Sequence, residues 1–210
     1  MEVIWLGEDN TEDVTDSAAD VLKKGNVVLL PTDTLYGLGA DALSDEAVGK
    51  IYSIKGRDES KPIHALVSSV EMAETFGEVG VGARMLLQRL PRGKVTVIVK
   101  KHSQFDSGIL KGRDTFGFRI PDDKFLNSLI DAFGGPITAT SANRSGAPAA
   151  RRVDEILAQL GAEGSTIDLC LDRGELPERL PSTVVDMTGI EPRIVREGAV
   201  PEKAVRDALA

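Results

Sequence analysis

At 210 residues, with 41% apolar residues, a formal charge of −8 and an isoelectric point near 4.9, the chain can build one sizeable α/β core or two small ones. The acidic balance argues against a general polyanion binder, and 4% aromatic residues supply little for stacking on nucleic-acid bases. A local basic pocket stays compatible with this, because charges beyond about 8 Å are largely screened at physiological salt. A single cysteine, Cys170 between Leu169 and Leu171, rules out an internal disulfide, fits a reducing compartment and reads as a buried small hydrophobe. Met1 to Asp16 is acidic and unlike a signal peptide, and no apolar run approaches the roughly 20 residues that span a bilayer, so a soluble cytoplasmic protein is expected.

Glu2 to Leu6 alternates like an edge strand. Thr15 or Asp16 is placed to cap a helix carrying Ala18, Ala19, Val21 and Leu22, with Gly25 as its stop. Val27 to Leu30 reads as a short buried strand, and Pro31 should end its pairing. The stretch Thr32-Asp33-Thr34-Leu35-Tyr36-Gly37-Leu38-Gly39 is then dense in hydroxyls, with a carboxylate and two glycines. It is poor core material, since a buried unpaired polar group costs on the order of 2–7 kcal/mol. Two readings stand: a tight turn held by its own side chains, or a ligand floor with Thr32 and Thr34 offering hydroxyls and the glycines permitting close approach.

Ser44 caps a second helix that ends at Gly56. The connection to Pro62 holds Lys55, Arg57 and Lys61 beside Asp58 and Glu59, either a solvated loop with internal pairs or a phosphate clamp. An apolar strand follows, His64 to Val67, with His64 expected to have its ring hydrogen-bonded. Val81 to Leu90 is helical, Lys94 to Lys100 an alternating strand, and Ser103 to Gly112 a loop. Thr115 to Pro121 is a strand in which Phe116 and Phe118 face one side and Gly117 and Arg119 the other; a charge there needs a partner. Lys124 to Phe133 is an amphipathic helix. Pro136 to Gly146 forms a second polar strand end (Thr140, Ser141, Asn143). A helix at Val153–Leu160, strands at Thr166–Leu171, Pro181–Asp186 and Arg193–Gly198, and a helix after Pro201 complete the chain.

No nucleotide-binding Gly-Lys-Ser/Thr loop, nucleophile elbow or metal-ligand spacing is present, and Gly77 to Gly82 reads as a turn. What remains are hydroxyl-bearing strand ends and scattered cations, including Arg144. In open α/β sheets ligands gather outside strand ends. If these groups converge, the pocket suits a ligand with phosphates, a carboxylate and several hydrogen-bonding groups.

Four ordered motifs, Pro-Thr-Asp-Thr-Leu-Tyr-Gly-Leu at 31–38, Lys-Gly-Arg at 55–57 with Lys61-Pro62, Ser-Ala-Asn-Arg-Ser-Gly at 141–146 and Ser-Thr-Val-Val-Asp at 182–186, resemble the Sua5/YrdC/TsaC family of threonylcarbamoyl-AMP synthases. The resemblance runs from about Ala18 to Gly198 and implies a short, single-domain form over residues 1–210, with a twisted mixed parallel and antiparallel α/β sheet flanked by helices around a large, positively lined cavity. It implies synthesis of L-threonylcarbamoyladenylate and pyrophosphate from L-threonine, bicarbonate or CO2, and ATP, Mg²⁺ arriving with ATP and no dedicated metal site. The product feeds tRNA t6A37 modification, so tRNA or RNA and the downstream t6A transferase proteins are implied partners.

Matched position by position, Thr34, Arg119, Ser141 and Ser182 would contact threonine. Arg57, Lys61, Thr115, Asn143 and Arg196 would contact the nucleotide, and Lys55 and Arg57 are the expected catalytic cations. Thr32, Tyr36, Leu66 and Arg151 are further candidates. Two departures stand out. Leu66 takes the place of a histidine common in the family, and Pro148-Ala-Ala-Arg-Arg152 replaces the usual Pro-Ser-Pro-Thr after Ser-Gly. Competing expectations are an RNA-binding module without chemistry, whose binding would fall steeply with salt, and a carbamoyl-transfer role, which would use carbamoyl phosphate.

Overall fold

The computed structural model describes residues Met1–Ala210. Ten strands form one mixed sheet in the order β1-β8-β2-β3-β7-β4-β6-β5-β9-β10. They are β1 (Glu2–Trp5), β2 (Val28–Leu30), β3 (Gly37–Gly39), β4 (His64–Leu66), β5 (Val95–Lys100), β6 (Thr115–Arg119), β7 (Ile137–Ser141), β8 (Leu169–Asp172), β9 (Thr183–Asp186) and β10 (Arg193–Arg196). The pairs β1–β8, β2–β8, β4–β6 and β5–β9 are parallel, and the other neighbours run antiparallel.

Seven helices cover the sheet: α1 (Thr11–Lys23), α2 (Asp45–Lys55), α3 (Val70–Phe76), α4 (Val81–Arg89), α5 (Lys124–Phe133), α6 (Val153–Leu160) and α7 (Glu202–Leu209). Strand side chains alternate between two cores, as the period of two requires. Val28, Leu30, Leu169 and Leu171 face the smaller core under α1 and α5, while Leu29 and Cys170 face the larger core under the other helices. No helix is long and apolar enough to cross a membrane.

Local chemistry explains where the elements start and stop. The Ser44 hydroxyl accepts from the amide of Ala47 at the head of α2, and Gly56 closes that helix at φ 54°. The first helix starts earlier than expected. Thr15 caps nothing; its hydroxyl donates back to the Thr11 carbonyl inside the helix at 2.7 Å, the alternative open to a β-hydroxyl. Helix α3, capped by Ser69, was not expected, and strand β8 begins only at Leu169 because residues 161–166 form a 3-10 turn.

Strand β3 is the larger surprise, because Gly37-Leu38-Gly39 pairs with β2 and β7. Gly39 is explained by packing: a Cβ there would lie 2.7 Å from Leu30 Cδ2.

Candidate active site

The central strands leave one stretch of sheet without a covering helix. Leu30 and Leu66 belong to the smaller core and also line a cavity of about 220 Å³ on the same face. Loops at 32–36, 57–63 and 181–182 close its sides. Much of the lining comes from within strands (Leu66, Thr96, Arg119, Ala139), so the site lies over the sheet face as well as at the strand tips expected from sequence.

The Thr32 turn is held by its own side chains and also borders the cavity. The Thr32 hydroxyl donates to the Leu35 carbonyl at 2.6 Å and accepts from the amides of Thr34 and Leu35 at 3.1 Å each. It also lies 3.0 Å from the Thr34 hydroxyl, and both threonines line the cavity. Asp33 points the other way. It is buried and paired at 2.5 Å with Arg119, the partner that a charge on β6 required. Arg119 also donates to the Gly93 carbonyl and still reaches the cavity wall.

Tyr36 lines the cavity, but its hydroxyl is spent elsewhere. It donates to the Gly174 carbonyl at 2.8 Å and accepts from the Arg173 amide at 2.9 Å, and burial pushes it up to about 12. Ser182 shares its hydroxyl with Thr96 at 2.7 Å, and its carbonyl accepts from Arg196 at 2.8 Å. Arg57 donates to the Pro62 carbonyl at 3.0 Å, which aims the basic loop. Burial lowers the Arg196 guanidinium from its ordinary value. Thus Arg57, Arg119 and Arg196 share one cavity with Thr34, Ser141 and Ser182, and no carboxylate lines it.

Five candidates, Lys55, Lys61, Thr115, Asn143 and Arg151, fall outside that lining. Lys55 is 2% exposed, and its ammonium runs beneath the wall to the carbonyl oxygens of Ser141 and Asn143 and to Asn143 Oδ1. Burial, then the nearby Arg57, lowers it to about 8, while the carbonyl acceptors favour the ammonium, so it is charged at neutral pH. Asn143 is buried too: its amide donates to the carbonyls of Arg144 and Ala147, folding the turn after β7. Lys61 is exposed at the outer edge, where its carbonyl accepts from the Tyr52 hydroxyl. Arg151 is not brought to the cavity, because it pairs with Glu175 at 2.5 Å.

Thr115 lines a small adjoining hollow that shares Pro62, Ile63 and His64 with the main cavity. Leu66 presents an apolar side chain where the resemblance leads one to look for a histidine.

Sequence reasoning missed several residues. Thr96, a hydroxyl within an apolar strand, was the legible one. Arg113 pins the basic loop by donating to the carbonyls of Glu59 at 2.6 Å and Ser60 at 3.0 Å. Arg179 donates to the Asp33 carbonyl at 2.7 Å and braces the polar turn. The ring of His64 has no hydrogen-bond partner in the chain, contrary to expectation, and it opens onto the cavity.

Comparison with known proteins fits this geometry. The family model Sua5/YciO/YrdC, described as "Telomere recombination", matches residues 20–198. A threonylcarbamoyl-AMP synthase of Pyrococcus abyssi is 32% identical over 193 residues, 91% of this chain and 56% of the relative. Its counterpart in Bos taurus is 36% identical over 178 residues, 82% of this chain and 63% of the relative. The chain therefore spans somewhat more than half the length of these two curated relatives. The crystal structure of P. abyssi Sua5 complexed with L-threonine superposes with a TM-score of 0.90 at 31% identity, covering 99% of this chain and 61% of that one.

Proposed function

The chain belongs to the Sua5/YciO/YrdC family, and from that premise we propose that it is an L-threonylcarbamoyladenylate synthase, a nucleotidyltransferase acting through residues 1–210 as one catalytic domain. One observation carries the reading: Arg57, Arg119 and Arg196 converge with Thr34, Ser141 and Ser182 on a cavity without acids. In a chain of net charge −8 this is a local site for anions.

Threonine occupies the side of Thr34, Ser182 and Arg119. Its carboxylate pairs with the face of Arg119 turned away from Asp33, and its hydroxyl and ammonium meet the two hydroxyls. The triphosphate lies along Arg57 and Arg196, with Thr115 and Lys61 toward its outer end. Lys55 and Asn143 act as positioning groups that fix the Ser141 strand end. Mg²⁺ would enter with ATP and offset charge on its phosphates; no carboxylate lines the cavity to hold the ion separately.

The chemistry asks mainly for positioning. The threonine amine, having lost a proton, forms a C–N bond with CO2, and loss of a second proton gives a carbamate. A carbamate oxygen attacks the α-phosphorus of ATP in line. The bond from that phosphorus to the bridging oxygen breaks, and pyrophosphate leaves. Fixed guanidinium groups offset charge on the phosphates without reorganising. The product would serve tRNA t6A modification in the cytoplasm, with the t6A transferase proteins as downstream partners. The test is mass spectrometry of a quenched reaction containing ATP, Mg²⁺, threonine and bicarbonate: threonylcarbamoyl-AMP is expected, and its absence with folded protein overturns the proposal.

A further inference from the structure

Strand β4 sets a second side chain beside Leu66. His64 and Leu66 are two residues apart, so they share a face of the strand, and both line the cavity. Neither ring nitrogen of His64 has a protein partner and neither is sealed in the core; the ring lies between the cavity and the adjoining hollow and lines both.

The neighbouring strand has been cut to fit this ring. Gly117 on β6 lies beside His64, and a Cβ at Gly117 would fall 2.4 Å from His64 Cδ2 and 3.1 Å from Nε2. The Gly117 backbone is not in the left-handed region, so no turn requires a glycine there. The imidazole needs the space. On its other side β7 offers Ala139, a small neutral neighbour.

The charges around the ring have one sign. Arg57 and Arg196 stand near enough to act on it, and the adjoining hollow adds Arg113. Neither the cavity nor the hollow is lined by a carboxylate. An imidazole aimed into such a place without an anionic partner is built to receive one from a ligand.

We propose that His64 is a further phosphate-binding residue of this cavity, donating a ring N–H to an oxyanion of the nucleotide between Arg57 and Arg196. The proposal rests on the synthase reading above for the identity of the anion. Burial, reinforced by Arg196 and Arg57, pushes the ring down to about 4, so it is neutral at pH 7. A bound phosphate opposes the arginine field and returns the ring toward its ordinary range near 6.5. A group whose affinity for protons rises on binding takes up a proton, and binding then strengthens as pH falls.

The test measures ATP binding by calorimetry at pH 8 and pH 6 for the wild-type chain and for His64→Gln. It is paired with NMR of the imidazole resonances in the wild type with and without ATP. Only two histidines are present, so His64 and His102 are readily told apart. The nucleotide's own titration is common to both proteins and cancels. Between pH 8 and pH 6 the wild type should tighten about fourfold more than His64→Gln, the change expected when a ring moves from about 4 to about 6.5. The His64 resonance should titrate at higher pH with ATP present. Equal pH dependence in the two proteins with an unmoved His64 resonance would overturn the proposal and leave the synthase reading standing. Failure of the wild type to bind ATP at either pH would overturn both.

Discussion

The ammonium of Lys55, at the last residue of α2, lies 2.8 Å from the backbone carbonyl oxygen of Asn143, just past the end of β7. This contact makes the most basic-looking motif of the chain part of its framework. The cation binds the carbonyls of Ser141 and Asn143, the first of which also accepts from the Asn143 amide, and so fixes where Ser141 meets the cavity. Replacing Lys55 with Met keeps the aliphatic stem and leaves the Asn143 carbonyl without its donor, costing about 1–3 kcal/mol. Urea denaturation should show that loss, and turnover should fall with it.

The buried pair of Asp33 and Arg119 behaves differently. Asp33→Ala leaves a buried guanidinium without its partner, which should cost about 3–5 kcal/mol. A double variant, Asp33→Leu with Arg119→Leu, removes both charges and should lose less. Chemical denaturation of the two proteins checks the order. The double variant should still lose affinity for threonine, because Arg119 lines the cavity.

Gly117 and His64 should be coupled. Gly117→Ala forces the ring from its place and should destabilise by about 1–3 kcal/mol, the usual cost of overpacking. In a His64→Ala background the same change should be nearly neutral, since the clashing atoms are gone. The double-mutant cycle reads this coupling directly.

Cys170 should be chemically silent in the native protein. Burial raises its thiol to about 11, so almost none is ionised at pH 8, and the thiolate is the reactive form. Thiol titration should give no reaction in buffer and full reaction in denaturant. Rapid native labelling would contradict the burial seen here.

Much of this was legible along the chain. The helix cap at Ser44 declares itself because its side-chain oxygen reaches a nearby amide; the equivalent cap at Asp123 was not read from the sequence. The faces of β6 follow from strand alternation: Phe116 and Phe118 stack at 5.5 Å in the core, and Arg119 turns to the cavity. The pairings Asp33–Arg119 and Thr96–Ser182 each join residues 86 apart, and only the sheet order brings them together. The direction of Lys55 was hidden for another reason. A lysine at a helix end is ordinarily solvated, and nothing local marks this one as buried against carbonyls. His64 was hidden because its meaning depends on Gly117, on a strand reached only after two more helices and β5.

The central claim is that one cavity brings threonine and ATP together for reaction. It is tested most directly by pyrophosphate release from ATP, followed with a coupled phosphate assay in the purified chain, with threonine and bicarbonate added singly and together. The account predicts release only when both are present. Release that ignores threonine or bicarbonate, or no release from a protein shown to be folded, would contradict it.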